Sequence, residues 1–101
     1  MAKYVCRLTK REEIATGTLA VHLERPREFG FRPGQNASLT LLNPPETDAE
    51  GNTRTFSIAS APAEDDLVFA TRMRGSAFKR VLGGLSPGAE VRLSGPAGTF
   101  T

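Results

Sequence analysis

Short runs of alternating apolar and polar residues recur along the chain and predict β-strands, because successive side chains of a strand point to opposite faces. The second run shows the pattern most regularly, with Leu19, Val21 and Leu23 separated by polar or small residues. Turn-forming residues such as Thr16–Gly17 lie between the runs. The six predicted strands cover residues 3–14, 18–24, 35–42, 54–60, 67–73 and 89–93.

One later stretch follows helical spacing instead. Apolar residues recur at i, i+3 and i+4 from Ala77 to Leu85. We expect this helix to begin at Gly75 or Ser76, with Ser76 as its amino-terminal cap, and to end at Gly83–Gly84. Six short strands and one short helix predict an all-β domain. We expect a closed six-stranded antiparallel Greek-key barrel with the helix covering one end.

Two of the predicted loops differ in character. The loop over residues 25–34 contains Phe29 and Phe31, which we expect to fill one end of the barrel. The loop over residues 43–51 is acidic, rich in turn-forming residues and without an apolar anchor. We therefore expect this second loop to be exposed and mobile.

Length and composition indicate an ordinary globular domain. A chain of 101 residues with 39% hydrophobic residues fits one domain with one core. Thirteen basic and eleven acidic residues leave a net charge of +2, too small an excess to indicate nucleic-acid binding. No apolar run reaches the ~18–20 residues that span a bilayer. The start of the chain lacks the apolar segment of a signal peptide, so we expect a cytoplasmic protein.

The single cysteine and the single histidine give no sign of a metal site. Cys6 is the only cysteine, which excludes an internal disulfide and a cysteine metal cluster. It lies in an apolar alternating run, and we interpret it as a small packing residue. His22 falls on the polar face of the second strand with no carboxylate or thiol beside it in sequence. We therefore interpret His22 as solvated, and we predict no metal ligand.

The most chemically varied stretch is the fourth strand, residues 54–60, with the sequence RTFSIAS. Strand alternation places Arg54, Phe56 and Ile58 on one face. An arginine beside an aromatic ring suits a ligand that has both phosphate groups and a flat ring system. An amphipathic strand with an exposed arginine is the alternative that the spacing leaves open.

Three segments, in order, resemble the motifs of one family. Phe31–Arg32–Pro33–Gly34–Gln35 resembles a Pro-Gly-Gln entry into a barrel strand. Residues 54–57 resemble an Arg-x-(Tyr/Phe)-Ser motif, and Gly95–Pro96–Ala97–Gly98–Thr99–Phe100 resembles a Gly-Pro-x-Gly-x-Phe exit. Together they make the chain similar to the FAD-binding barrel domain of the ferredoxin–NADP reductase family of flavoproteins.

The resemblance implies a phosphate site at the start of the helix. In the family, a motif arginine and a helix start bind the flavin pyrophosphate from two sides. This assigns Arg54 and the backbone amides of Gly75, Ser76 and Ala77 to the pyrophosphate, with Phe78 completing the segment. A helix start suits that role because its amides are unpaired and carry partial positive charge. A plain capped helix is the alternative from the residues alone.

The resemblance also implies where the rest of the flavin binds. Ser57 is the implied catalytic residue, hydrogen-bonded near flavin N5, and Phe56 lies along the isoalloxazine or ribityl chain. Thr55 belongs to the same motif, and backbone groups around Ala70 and Thr71 meet the pyrimidine edge. The family usually has tyrosine where this chain has Phe56. The implied cofactor is FAD, which family membership favours over FMN.

The implied function is that of the flavin domain of an NAD(P)H-dependent oxidoreductase. Such an enzyme passes electrons between a nicotinamide cofactor and a one-electron acceptor such as a ferredoxin-like iron–sulfur protein or a haem protein. The chain has no glycine-rich dinucleotide fingerprint. We therefore expect a separate NAD(P)-binding domain to follow these 101 residues, and we expect the chain alone to be inactive. A homodimer of the chain alone is a separate expectation.

Two points stay open at this stage. The basic residues Arg72, Arg74, Lys79 and Arg80 cluster around the helix, where they either form a solvated face or dock an acidic redox partner. A non-redox β-barrel module that binds an oligonucleotide or a protein is the alternative function, since small Greek-key barrels serve that role as well.

Overall fold

The computed structural model describes residues 3–49, 51–72 and 77–98. Within these ranges the chain forms six strands and one helix, which confirms the predicted all-β class. In chain order the elements are β1 (Lys3–Ala15), β2 (Thr18–Glu24), β3 (Asn36–Leu41), β4 (Thr53–Ser57), β5 (Asp66–Arg72), α1 (Ala77–Gly84) and β6 (Glu90–Ala97).

The six strands form one antiparallel sheet in the order β4-β3-β6-β1-β2-β5. The β1–β2 hairpin turns at Thr16 and Gly17, and Gly17 supplies the positive φ of 77° that this tight turn needs. The last strand, β6, lies between β3 and β1, so distant parts of the chain pair along its two edges. This insertion gives the sheet its Greek-key connectivity.

The predicted closure of the barrel is wrong, because the sheet stays partly open between its two edge strands. Beyond the end of β4, one isolated bridge joins Ile58 to Phe69 of β5. The amide of Ala59 also donates to the carbonyl oxygen of Val68 at 2.7 Å. The next hydrogen bond goes to a side chain, since the hydroxyl of Ser60 accepts from the Val68 amide at 3.1 Å. A side chain thus replaces the next ladder bond, and β4 and β5 diverge on the other side of the bridge.

The strand β6 is longer than predicted, reaching Ala97 instead of residue 93. It continues because β3 pairs with it as far as the partners Asn36 and Ala97. The register shifts between Asn36 and Ser38, and Gly95 lies opposite this irregularity with φ of 138°. A Cβ on Gly95 would lie 3.3 Å from the Cβ of Ala37. Glycine therefore permits both the backbone conformation and the close approach of the two strands.

One hydrophobic core fills the inside of the curved sheet. The predicted apolar face of β2 is confirmed, since Leu19, Val21 and Leu23 are at most 8% exposed. Leu8, Leu39 and Leu93 of the neighbouring strands are at most 1% exposed in the same core. Phe29 is buried, and its ring lies nearly perpendicular to that of Tyr4, with the two ring centroids 5.6 Å apart. The helix contributes Ala77, Phe78, Val81 and Leu82 to this core. Burying each large side chain of this kind contributes about 1.5–3 kcal/mol.

Cys6 is buried in the same core, as its interpretation as a packing residue predicts. Burial, with a smaller contribution from the charge of Glu24, raises the pKa of its thiol from 9.0 to about 11. The neutral thiol is therefore the stable form inside the protein at physiological pH.

His22 differs from its predicted solvated state. Its side chain is only 16% exposed, and its Nε2 lies 3.1 Å from Oε1 of Glu12. The β1–β2 register pairs Glu12 with Ala20, so Glu12 and His22 are diagonal neighbours across the hairpin. The residues next to His22 in sequence do not indicate Glu12 as its partner, because Glu12 lies on the preceding strand.

Residues 3–49, 51–72 and 77–98 contain neither a metal-binding cluster nor a membrane-spanning helix. No group of three or more His, Cys, Asp or Glu side chains converges there as a metal site would require. In the same ranges, no helix is both long and apolar enough to cross a membrane.

Candidate functional site

The three motif segments meet around Gln35. Its side-chain amide donates to the carbonyl oxygen of Gly98 at 3.1 Å, and its Oε1 accepts the amide of Arg32 at 2.8 Å. Its backbone carbonyl accepts the amide of Ile58 at 3.0 Å. One glutamine therefore joins the entry into β3, the continuation of β4 and the end of β6. Segments that lie far apart in sequence thus form one end of the sheet.

The inward face of β4 brings two predicted site residues against the helix. Arg54 and Phe56 are half-buried, whereas Thr53, Thr55 and Ser57 between them are exposed. The guanidinium carbon of Arg54 lies 5.3 Å from the ring centroid of Phe78, within the range of a cation–π contact. Nη1 of Arg54 also donates to the carbonyl oxygen of Thr53 at 2.9 Å. The exposed arginine of the alternative interpretation is therefore not observed.

Three phenylalanines support this arrangement. The ring of Phe56 lies 5.9 Å from Phe78 of α1 and 6.4 Å from Phe69 of β5, measured between centroids. Phe69 and Phe78 are each 1% exposed, whereas Phe56 is half-buried. Phe56 thus connects the edge strand β4 to the helix and to the opposite edge of the sheet. Phe69 was not among the predicted site residues.

Thr55 and Ser57 lie on the other face of β4, away from Arg54. The hydroxyl of Thr55 is 2.9 Å from that of Ser38 on β3, and the Thr53 and Thr40 hydroxyls form a similar pair at 2.8 Å. Ser57 is exposed at the end of the strand. The structure therefore separates the two polar groups of the Arg-x-Phe-Ser motif onto opposite sides of the strand.

Ala70 and Thr71 face the opening between β4 and β5. The bridge between Ile58 and Phe69 puts Ser57 and Ala70 next along their strands, where the sheet opens. Ala70 is exposed, and Thr71 is buried with its hydroxyl 3.4 Å from the carbonyl oxygen of Arg72. Beyond Phe69, no strand of the described chain pairs with the outer edge of β5. Backbone groups on such an edge can bind a ligand.

At the start of the helix, an anionic oxygen is already bound. The amide of Ala77 donates to Oδ2 of Asp48 at 2.9 Å. Gly75 and Ser76, the other two predicted phosphate-binding positions and the expected first residues of the helix, lie outside the described residues. The helix ends at Gly84, as predicted. The Ala77 amide therefore donates to a negatively charged oxygen, which is the kind of acceptor that a phosphate group offers.

Asp48 belongs to the acidic loop, which the sequence presented as exposed and without an anchor. Residues 45–49 are indeed exposed. Polar contacts nonetheless hold the loop on α1, since Oε1 of Glu46 accepts from Nε of Arg80 at 2.7 Å. Asp48 was missed as a site residue because its partner lies 29 residues later. No local pattern links an aspartate in a turn-rich loop to a distant helix.

Two residues of the predicted basic group also have partners on the protein. Nζ of Lys79 donates to the carbonyl oxygen of Arg72 at 2.6 Å, and Arg80 bonds to Glu46. Arg74 lies outside the described residues. Some of the positively charged side chains around the helix therefore bond to neighbouring segments of the protein.

Comparison with known proteins identifies relatives of this chain among curated proteins. No family model matches the chain. The reductase component of propane 2-monooxygenase from Mycolicibacterium smegmatis is 37% identical over 79 residues, which cover 75% of this chain and 21% of that protein. The chain thus spans about a fifth of the length of the curated relatives it matches.

Solved structures share the fold over nearly the whole chain. A ferredoxin–NADP⁺ reductase from Neisseria gonorrhoeae with bound FAD and NADP gives a TM-score of 0.77 at 16% identity, covering 91% of this chain and 36% of that one. A cytochrome P450 reductase from Amycolatopsis gives 0.77 at 24% identity, with coverages of 98% and 29%. The cytochrome b5 reductase domain of Ulva prolifera nitrate reductase gives 0.76 at 16%, with 96% and 42%. The resemblance predicted from the motifs is therefore confirmed, and the chain has the fold of the FAD-binding barrel domain of ferredoxin–NADP reductase-like flavoproteins.

Proposed function

We propose that this chain is the FAD-binding domain of an NAD(P)H-dependent oxidoreductase that delivers electrons to a one-electron acceptor. One observation carries the proposal: Arg54 lies half-buried against Phe78, beside a helix start whose Ala77 amide binds an anionic oxygen. A guanidinium and a helix amide are the kinds of donor that a pyrophosphate requires.

The residues present fit the cofactor. Arg54 and the Ala77 amide would hold the phosphates, with Gly75 and Ser76 predicted to add two further amides. Half-burial of Arg54 favours this role, because a charge-assisted bond is stronger where water is partly excluded. When bound, FAD supplies the exchange between two-electron and one-electron carriers.

The flavin ring is proposed to lie at the opening between β4 and β5. Phe56 offers a half-buried aromatic face there, Ser57 an exposed hydroxyl, and Thr55 belongs to the same strand. The outer edge of β5 at Ala70 and Thr71 offers backbone groups for the pyrimidine edge. Ser57 is proposed to donate a hydrogen bond near N5 and so to orient the reacting end of the ring.

The nicotinamide cofactor, NADH or NADPH, is proposed to bind a second domain. Support comes from the relatives, which are much longer than this chain, and from the lack of a glycine-rich dinucleotide fingerprint in the 101 residues. The proposed acceptor is a ferredoxin-like iron–sulfur protein or a haem protein, by analogy with relatives described as reductases of cytochromes and of a monooxygenase. A cytoplasmic location and homodimer formation by the chain alone stay predictions from the sequence.

Titration of the purified chain with FAD tests the proposal, with flavin fluorescence and absorbance as readouts. Riboflavin, which has the ring but no phosphate, is the matched control ligand. We expect saturable FAD binding and much weaker riboflavin binding, because FAD brings phosphate groups that can bond to Arg54 and the Ala77 amide, whereas riboflavin has none. Absence of FAD binding, together with binding of a single-stranded oligonucleotide, would favour the alternative of a non-redox binding module.

A further inference from the structure

We propose that residues 43–49, here called the strap, form an intramolecular competitor for the flavin pyrophosphate. Asp48 holds the Ala77 amide in the structure, so the strap must open before phosphate binds there. This inference rests on the proposed function, since it concerns the same phosphate site. It assigns to Asp48 the role of setting flavin affinity.

Polar contacts of Asp48 and Glu46 hold the strap on α1. Oδ2 of Asp48 accepts the Ala77 amide at 2.9 Å, and Glu46 bonds to Arg80 one turn further along the helix. Between the strap and the helix lies a groove of about 420 Å³. Its lining residues are Pro45, Glu46, Arg80, Val81, Gly84 and Leu85. The strap therefore contacts the helix through polar side chains and leaves a groove between itself and the helix, instead of packing tightly along it.

A carboxylate and a phosphate cannot share this donor. The Ala77 amide has one hydrogen, and Asp48 already accepts it at a normal hydrogen-bond distance. A phosphate at the same amide would also face a negative charge at short range, which raises its energy. Binding of one anion thus excludes the other.

The geometry of the strap is compatible with opening. All five residues from Pro45 to Ala49 are exposed, so its release uncovers little apolar surface. Exposed ion pairs such as Glu46–Arg80 add little stability. The backbone has positive φ at Asn43, the first residue of the strap (48°), and at Gly51, two residues beyond its last residue (82°).

The base of the strap is fixed separately from its tip. The amide of Leu41 donates to the carbonyl oxygen of Asn52 at 2.9 Å, and the Asn52 side chain donates to the carbonyl oxygen of Leu41 at 3.1 Å. These bonds join the ends of β3 and β4 below the loop. The strap can therefore move without disturbing β4, on which Arg54 lies.

The consequence is a lower apparent flavin affinity. When only an open fraction of molecules can bind, the apparent Kd equals the intrinsic Kd divided by that fraction. Asp48→Asn removes the charge that favours the closed form and the repulsion against phosphate. We therefore expect its Kd for FAD to fall by about three- to tenfold.

The experiment measures FAD and inorganic pyrophosphate binding to four forms of the 101-residue chain: wild type, Asp48→Asn, Glu46→Gln and Asp65→Asn. FAD is followed by fluorescence, and pyrophosphate by the NMR shift of the Ala77 amide. Asp65→Asn is the matched control, since it removes the same charge from an exposed turn outside the strap. Glu46→Gln loosens the strap without touching the Ala77 amide.

Tighter binding of both ligands by Asp48→Asn, a smaller gain for Glu46→Gln and no change for Asp65→Asn support the inference. An equal or weaker affinity of Asp48→Asn for FAD overturns it while leaving the proposed function intact. Equal gains for Asp48→Asn and Asp65→Asn also overturn it, because net charge alone then explains the effect. If pyrophosphate binds more tightly to Asp48→Asn and no form binds FAD, the strap is confirmed and the proposed function fails.

Discussion

The guanidinium of Arg54 lies 5.3 Å from the ring centroid of Phe78, and this contact joins the edge strand β4 to the start of α1. The aromatic face of Phe78 packs against the Arg54 guanidinium, and the carbonyl oxygen of Thr53 accepts a hydrogen bond from it. A side chain positioned in this way loses less conformational freedom when it binds a ligand. The contact therefore prepares the arginine for the phosphate role proposed above.

Arg54→Ala is expected to weaken FAD binding by about 1.5–3 kcal/mol, the value of a hydrogen bond to a charged group. This corresponds to an increase in Kd of roughly 10- to 150-fold. Fluorescence titration measures it, with Arg92→Ala on the exposed face of β6 as the matched control. Arg54→Lys should give an intermediate Kd, because lysine keeps the charge but loses the planar fork. An unchanged Kd for Arg54→Ala would remove Arg54 from the site.

Phe56→Tyr is expected to strengthen FAD binding by about 0.5–1.5 kcal/mol, the net value of one added hydrogen bond. The physical reason is that the ring of Phe56 is half-buried at the opening of the sheet, where the flavin is proposed to lie and where the ribityl chain would offer a partner to a phenol hydroxyl. The same titration measures the change. A thermal unfolding curve should match that of wild type, and weaker binding in a stable variant would contradict the proposed position of the flavin.

The chain alone is expected to oxidise NADH far more slowly than the ~10 s⁻¹ median of ordinary enzymes, even when loaded with FAD. Hydride transfer requires the nicotinamide to be held against the flavin, and no glycine-rich dinucleotide fingerprint occurs in the chain. Steady-state NADH oxidation with ferricyanide as acceptor measures the rate. Turnover near that median would require a nicotinamide site within these 101 residues.

Cys6 is expected to make stability depend on pH in the alkaline range. Its pKa is 9.0 when exposed and about 11 in the folded protein, so between these values the unfolded chain releases a proton that the folded chain retains. The folded state binds more protons there, and the free energy of unfolding must fall as pH rises from about 9 to about 11. Well below pH 9 the thiol is neutral in both states and has no effect.

Chemical unfolding at pH 8, 10 and 11 measures this dependence, with Cys6→Ala as the control. The variant loses packing at every pH, but it should lack the part of the decline that comes from the thiol. Parallel pH profiles for the two proteins would show that the buried thiol does not set this dependence. Slow reaction of Cys6 with a thiol reagent at pH 8 is expected for the same reason.

Much of the fold was predictable because its signals are local. The alternation of Leu19, Val21 and Leu23 placed β2 correctly, since a strand's period of two depends only on neighbouring residues. The closure of the sheet was not predictable in this way. It depends on whether β4 and β5 pair, and in the described chain an isolated bridge between Ile58 and Phe69, beyond the end of β4, stands in place of a ladder.

In the candidate site too, features within one strand were predictable, whereas contacts between different elements were not. Periodicity put Arg54 and Phe56 on one face of β4, and the structure confirms that face. The Asp48–Ala77 contact and the Glu12–His22 pair were missed, because each joins residues on different elements. Neither aspartate nor histidine carries a local sign of its partner.

The sequence by itself determined the number and character of the elements, the inward faces of the strands and the three motif segments, because these follow from short-range alternation and residue type. Only the tertiary structure decided that β6 lies between β3 and β1, that Gln35 joins the three segments, and that an acidic loop holds the helix start. These relationships depend on where distant parts of the chain meet. The physical reason is that strand pairing and polar contacts between distant residues are selected by burial of the whole core, which no short stretch of sequence contains.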